Sequence, residues 1–260
     1  MSKSQANKYI IFTDLDGTLL DHDTYSYDPA SDALQMLRDT NTPLILASSK
    51  TAAEIAPLRQ KLGFERFPAI VENGAGVLAT NMSAADGDSD YEKIIEIINQ
   101  APAELRTHYT GFHDWTADDV SRQTSLSLEG AILAKQREYS EPGQWSGPKE
   151  KCAEFIEYLT ENGLRAQQGG RFLTIAFGAG KVDRMNEIVE QFRTENEAVT
   201  TVALGDAPND KQMLENADIG FVMSNNTNQY LFAPNKPDHI TYSEHSGPKG
   251  WNACVLSLFV

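Results

Sequence analysis

Short apolar runs alternate with amphipathic stretches along this chain. Tyr9-Ile10-Ile11-Phe12, Pro43-Leu44-Ile45-Leu46-Ala47, Ala69-Ile70-Val71, Thr201-Val202-Ala203-Leu204 and Ile219-Gly220-Phe221-Val222-Met223 are almost wholly apolar. A run without period-two alternation predicts a strand buried on both faces of a parallel sheet. Between these runs the spacing turns helical. Ala30, Leu34 and Leu37 fall on one face. Thr51 with Glu54 three residues on predicts a capping box, opening a helix that ends at Gly63. Helices are expected near 181–195, over 209–215 and after Gly247-Pro248. Strand and helix in turn predict an α/β fold, a doubly wound parallel-sheet core.

The pattern breaks in the middle. Ser83 to Asp90 is small and polar, the composition of a linker. Beyond it the spacing predicts a helix over 91–99, an extended piece over 105–111 and two further helices. Two strands follow within 165–177, joined at Gly169-Gly170. This section holds most of the aromatic, Arg and His residues that have no evident core role. It reads as an inserted α/β domain over 83–177, between core segments 1–82 and 178–260.

Charge narrows the partners. The 260 residues carry 22 Lys+Arg against 37 Asp+Glu, a formal net charge of −15. A nucleic-acid binder needs a basic stripe to displace counterions, and an anionic membrane would repel this surface. The expected partner is a small molecule, and an anionic one would need locally concentrated positive charge. A 40% hydrophobic share argues for a folded core. Cys152 and Cys254 form no metal-binding or disulfide pattern, and no apolar run approaches the roughly 18 residues of a membrane helix. A cytoplasmic enzyme is the expectation, its oligomeric state open.

Three of the strands run into polar clusters at the same relative place. The first ends in Thr13-Asp14-Leu15-Asp16-Gly17-Thr18, the second in Ser48-Ser49-Lys50 and a late one in Gly205-Asp206-Ala207-Pro208-Asn209-Asp210. In an open parallel sheet, ligands bind beyond the carboxyl ends of the strands. Asp and Gly favour loops for their turn chemistry alone, but two acidic clusters and a hydroxyl cluster all at strand ends point to one pocket. Asp14, Asp16, Asp206 and Asp210 could not all stay ionised there without a counter-charge. A hard divalent cation with oxygen ligands, Mg²⁺, supplies it and leaves room for a phosphate oxygen. Lys181 is a second counter-charge. A cation at a helix start opposes the helix dipole, so its placement implies a neighbouring anion. The Asp14-x-Asp16 spacing suits a nucleophile and an acid/base acting on the leaving group, which favours hydrolysis over a stable phospho-aspartate.

These segments resemble the four motifs of the haloacid dehalogenase superfamily of Mg²⁺-dependent phosphatases: DLDGTLLD from Asp14, the Ser48-Ser49-Lys50 end, Lys181, and GDAPND from Gly205. The resemblance implies that Asp14 is the nucleophile and Asp16 the acid/base. It implies that Ser48, Ser49, Lys181 and Asn209 serve the phosphate, and that Asp14, Asp16, Asp206 and Asp210 surround the metal. The short interval from Asp16 to Pro43 leaves no room for a cap after the first motif, so the later insertion resembles the α/β (C2B-type) cap of the sugar-phosphatase branch. SSKT, VENGA, GFHDWT, REYSEP, GGRF and GPKGW extend the resemblance over nearly the whole chain, to the mannosyl-3-phosphoglycerate phosphatase family. This implies release of phosphate and mannosylglycerate, a compatible solute. The chain departs from the family at Val182-Asp183-Arg184-Met185, where a Lys-Gly pair is common, and at Trp115.

A substrate bearing phosphate and carboxylate needs a further cation. Arg171, after Gly169 and Gly170, suits a bidentate grip on the carboxylate, while Arg137, Glu138, Ser140 and Glu141 could hydrogen-bond sugar hydroxyls. Glucosyl-3-phosphoglycerate and a broader range of sugar phosphates stay open as substrates. A phospho-accepting switch protein is the reading from another class, and Asp16 and the inserted domain weigh against it.

Overall fold

The computed structural model describes residues 8–82, 89–169, 171–193, 199–224, 229–230, 232–233, 235 and 238–260. The chain opens with β1 (Lys8–Thr13), α1 (Ser31–Asp39), β2 (Leu44–Leu46), α2 (Ala52–Leu62) and a hairpin of β3 (Ala69–Val71) and β4 (Gly76–Leu78). A second unit follows: α3 (Tyr91–Asn99), α4 (Ala103–Arg106), β5 (Tyr109–Gly111), α5 (Ala117–Thr124), α6 (Leu128–Ala134), β6 (Ser140–Trp145), α7 (Lys149–Glu161), β7 (Leu164–Gln168) and β8 (Leu173–Phe177). The chain then completes the first unit with α8 (Lys181–Phe192), β9 (Val199–Gly205), α9 (Lys211–Asn216), β10 (Ile219–Ser224), β11 (Ile240–Ser246) and α10 (Gly247–Leu256).

The core sheet is parallel, in the order β11-β10-β9-β1-β2. A parallel bridge from Ala47 to Ile70 sets β3 beside β2. From β1 the chain steps outward through β2 to β3, and from β9 it steps the other way. The switch therefore lies between β1 and β9, where such sheets open a crevice. Ile10, Ile11, Phe12, Leu44, Ile45, Leu46, Val202, Ala203 and Leu204 are fully buried, because helices cover both faces. Thr51 and Glu54 form the expected capping box, and Gly63 ends α2 with φ 79°, a left-handed conformation that suits glycine.

The second unit is an antiparallel sheet, in the order β5-β6-β8-β7. It has its own apolar cluster, including Ile94, Ile98, Phe155, Leu159 and Ile175. Strand β6 is unexpected from its sequence, Ser-Glu-Pro-Gly-Gln-Trp, which reads as a turn. Packing overrides that preference: a Cβ on Gly143 would stand 2.4 Å from the Tyr109 ring, so glycine lets that ring lie across the strand. Three helices, α5, α6 and α7, stand between β5 and β7 where two were expected. The first part of the expected 105–111 strand is the end of α4. Residues 83–88 of the expected linker and Gly170 of the expected joint lie outside the described residues. Among the described residues no helix is long and apolar enough to cross a membrane.

Candidate active site

The acidic clusters meet at the switch point. Asp14 N donates to Leu204 O (2.9 Å), keeping the chain in register with β9 one residue past the end of β1. The turn that follows needs Gly17. Its φ is +81°, and a Cβ there would stand 2.6 Å from Asp206 Oδ2. Thr18 Oγ1 donates to Asp206 Oδ1 (3.2 Å). Asp210 is drawn inward because Gly205 has no side chain, a Cβ there standing 2.5 Å from that of Asp210. Lys181 enters from the start of α8, its Nζ 2.6 Å from Asp14 Oδ1 and 2.7 Å from Asp210 Oδ1. Its loop sits close against Gly74, where a Cβ would lie 2.1 Å from the Gly180 carbonyl carbon.

Burial and mutual repulsion set the charge state. Burial pushes the Asp14 carboxyl well up, and Asp210 adds to it, against the pull of Lys181. Burial and Asp210 push Asp206 up to about 7. For Lys181, burial alone would lower the ammonium, but Asp14 and Asp210 outweigh it and hold the group above its ordinary range. One ammonium thus serves a cluster with more negative charge than it can balance.

That imbalance is the test of a metal. Asp14, Asp206 and Asp210 each offer a carboxylate oxygen, all within 4.8 Å of one another. A hard cation fits this donor set and would relieve the repulsion that raises Asp14 and Asp206. Asp16, expected with them, is not brought into the trio. Its Oδ2 lies 2.9 Å from Lys50 Nζ, while its Oδ1 is buried with no hydrogen-bond partner among the described residues. Strand alternation would put residues two apart on one face, but β1 ends at Thr13 and the chain turns from Leu15, whose carbonyl accepts from Thr18 N and Leu20 N, so the two carboxylates part.

A cavity of about 330 Å³ opens beside Asp16, and Asp14, Lys181, Asp206 and Asp210 are not among the residues that line it. Asp16, Ser49, Lys50, Asn73 and Asn209 line it from the core side, and Phe112, Arg137, Arg171 and Phe172 from the second unit. Ser48, next to the lining Ser49, is buried, and its Oγ accepts from Lys50 N (3.2 Å). Asn209 Nδ2 donates to Asn73 Oδ1 (3.3 Å). Burial would lower Lys50, but Asp16 and Glu54 hold it up.

The remaining expected residues divide. Arg171 lines the cavity, is exposed, and donates at 3.3–3.4 Å to the carbonyls of Gln123 and Thr124. Arg137 is buried: its Nε lies 3.2 Å from Glu72 Oε2 and its Nη atoms donate to Ser49 O. Ser140 is fully buried, its hydroxyl donating to Glu72 Oε2 and accepting from Arg137, so it offers no surface to a sugar. Glu138 gives its N–H to Glu72 Oε1 (2.9 Å), and its side chain is not among those lining the cavity. Glu141 is buried, accepting from His113 N and Tyr91 Oη. Gly170 lies outside the described residues. Glu72 and Asn73 carry parts the sequence reading did not assign. Their signal was the polar Glu72-Asn73-Gly74 ending of a third buried strand, the same place in the pattern as the other clusters.

A family model described as haloacid dehalogenase-like hydrolase matches residues 11–245. The glucosyl-3-phosphoglycerate/mannosyl-3-phosphoglycerate phosphatase of Methanococcoides burtonii is 34% identical over 270 residues, covering 96% of this chain and 97% of that protein. Among solved structures, a phosphatase of the haloalkanoate enzyme superfamily from Bacteroides thetaiotaomicron superposes with a TM-score of 0.69 at 16% identity, covering 100% of this chain and 98% of that one. The sucrose-phosphatase of Synechocystis sp. PCC6803, in complex with sucrose and phosphate, gives 0.64 at 12% identity over 97% and 98%. At such identities the likeness of these structures is one of fold.

Proposed function

The chain belongs to the haloacid dehalogenase-like hydrolase family and is a phosphoric monoester hydrolase, and from that premise we propose that it cleaves glycosyl-3-phosphoglycerate, mannosyl or glucosyl, to glycosylglycerate and phosphate. The observation that carries the reaction is the buried Asp14 held by Lys181, beside Asp206 and Asp210.

Asp14 attacks phosphorus. Its oxygen forms the new P–O bond as the bond to the glycerate oxygen breaks, and Asp16 gives that oxygen a proton. Asp16 then takes a proton from water as the water oxygen bonds phosphorus and Asp14 is released. Ser48, Ser49, Lys181 and Asn209 hold the phosphoryl oxygens. Asp14, Asp206 and Asp210 would hold Mg²⁺, which would supply positive charge for the phosphoryl group. The 83–177 insertion caps the core segments 1–82 and 178–260 and selects the substrate. Arg171, on the cavity wall and in no ion pair among the described residues, suits the glycerate carboxylate. The reaction takes place in the cytoplasm, in keeping with two unpaired cysteines.

The double name of the Methanococcoides burtonii relative supports either sugar. Steady-state phosphate release on mannosyl-3-phosphoglycerate, glucosyl-3-phosphoglycerate and a plain hexose phosphate tests the proposal. A kcat/KM for the hexose phosphate equal to or above the other two would overturn it.

A further inference from the structure

The loop expected to hold phosphate, Ser48-Ser49-Lys50, has its three carbonyls tied down from two sides. Asn73 N donates to Ser48 O and Glu72 N to Lys50 O, both at 2.9 Å. These donors come from the core turn after β3, where Glu72 and Asn73 have φ of 51° and 58°. Such values are costly for residues with a Cβ and are held only where surrounding contacts impose them. The middle carbonyl, Ser49 O, accepts from the cap instead, from Nη1 and Nη2 of Arg137 at 3.3 and 3.2 Å.

Arg137 is itself fixed. Its Nε faces Glu72 Oε2 at 3.2 Å, with side chains 5% and 1% exposed. The Glu72 carboxylate also takes the N–H groups of Glu138 and Tyr139 and the hydroxyl of Ser140. A core carboxylate therefore collects the donors of one cap segment. Each partner would be rehydrated if the cap lifted, so the pair adds modest stability but strict geometry when it closes.

The Ser49–Lys50 peptide is planar and trans, so its C=O and N–H point in opposite directions. Turning Ser49 O toward Arg137 turns Lys50 N–H the other way, where it donates to Ser48 Oγ (3.2 Å). With that lone pair occupied, the Ser48 hydroxyl is left to donate to another acceptor. We propose that Arg137, seated by Glu72, is a positioning residue through which cap closure orients the Ser48 hydroxyl toward phosphate, acting across the single Ser49–Lys50 peptide plane. This goes beyond the reading of the substrate and does not depend on which sugar is bound.

The test compares Arg137→Met and Ser48→Ala, singly and together, on p-nitrophenyl phosphate, which has no sugar or carboxylate, and on glycosyl-3-phosphoglycerate. Arg137→Met should lower kcat/KM about 10- to 100-fold on both, the scale of a misplaced binding group, and weaken inhibition by inorganic phosphate. Ser48→Ala should then cost far less in the Arg137→Met background than in the wild type. Arg137→Lys keeps a charge beside Glu72 but cannot also fork onto Ser49 O, so it should show the same coupling if Arg137→Met does not fold. A loss confined to the glycosyl substrate would make Arg137 a sugar ligand and overturn the proposal. So would Ser48→Ala costing the same factor in both backgrounds. Failure of the wild-type protein on glycosyl-phosphoglycerates would sink the proposed substrate, while the p-nitrophenyl phosphate arms still decide the role of Arg137.

Discussion

Lys181 Nζ stands 2.6 Å from Asp14 Oδ1, a contact between residues 167 positions apart in the chain. Burial and Asp210 press the Asp14 carboxyl toward its neutral form, which is a poor nucleophile. The ammonium opposes that pressure. Asp14→Asn removes the attacking oxygen while keeping the side-chain shape, and should lower phosphate release by at least about 10³-fold, with cooperative unfolding retained. Near-normal turnover would mean that another group attacks.

The metal can be tested on stability as well as rate. Three carboxylate oxygens within 4.8 Å repel one another, and a ligand that binds the folded state alone stabilises it. Excess chelator should silence the enzyme, Mg²⁺ should restore it, and the thermal midpoint should rise on adding Mg²⁺. Full activity in chelator would remove the metal from the reaction.

Glu141 predicts a pH effect away from the catalytic groups. Burial raises its carboxyl to about 7, against the pull of the His113 N–H, the Tyr91 hydroxyl and Arg137. The folded chain thus holds this proton more tightly than the unfolded chain, where the group titrates near 4.5. The resulting stability is complete below about 4.5 and is lost as pH rises through about 7, on the order of 3 kcal/mol in all. Glu141→Gln stays neutral throughout. Urea unfolding at pH 5 and pH 8 should show a larger fall for the wild type than for this variant, and equal falls would refute the assignment.

Arg171 should matter for selection more than for chemistry. Arg171→Ala should cost glycosyl-3-phosphoglycerate about 10- to 100-fold in kcat/KM, within the range for losing a hydrogen bond to a charged group. A hexose phosphate, lacking the carboxylate, should lose far less. Equal losses on the two substrates would take the carboxylate role from this residue.

The core was largely legible because its strands are buried on both faces. Such runs as Tyr9–Phe12 and Thr201–Leu204 stand out from any polar background, and the polar groups that follow them lie at the ligand-binding edge of the sheet. The cap was less legible. Strand β6 carries Pro142 and Gly143, whose local preference is a turn, and its place between β5 and β8 depends on the Tyr109 ring that fills the space over Gly143. Ser140, expected to meet the sugar, is buried against Glu72, and Arg137 lines the cavity but is tied to the same carboxylate, a residue far from both in the chain.

By itself, then, the order of residues determined the α/β alternation, the strand ends that carry Asp14, Ser48 and Asp206, and the hydrolase family to which they belong. These are local properties, written in short runs and short spacings. The tertiary structure alone decided that Asp16 turns to Lys50 while Asp14, Asp206 and Asp210 converge, and that Arg137 crosses from the cap to Ser49 O. Side-chain direction and long-range pairing depend on how separate segments pack, and no interval along the chain encodes them.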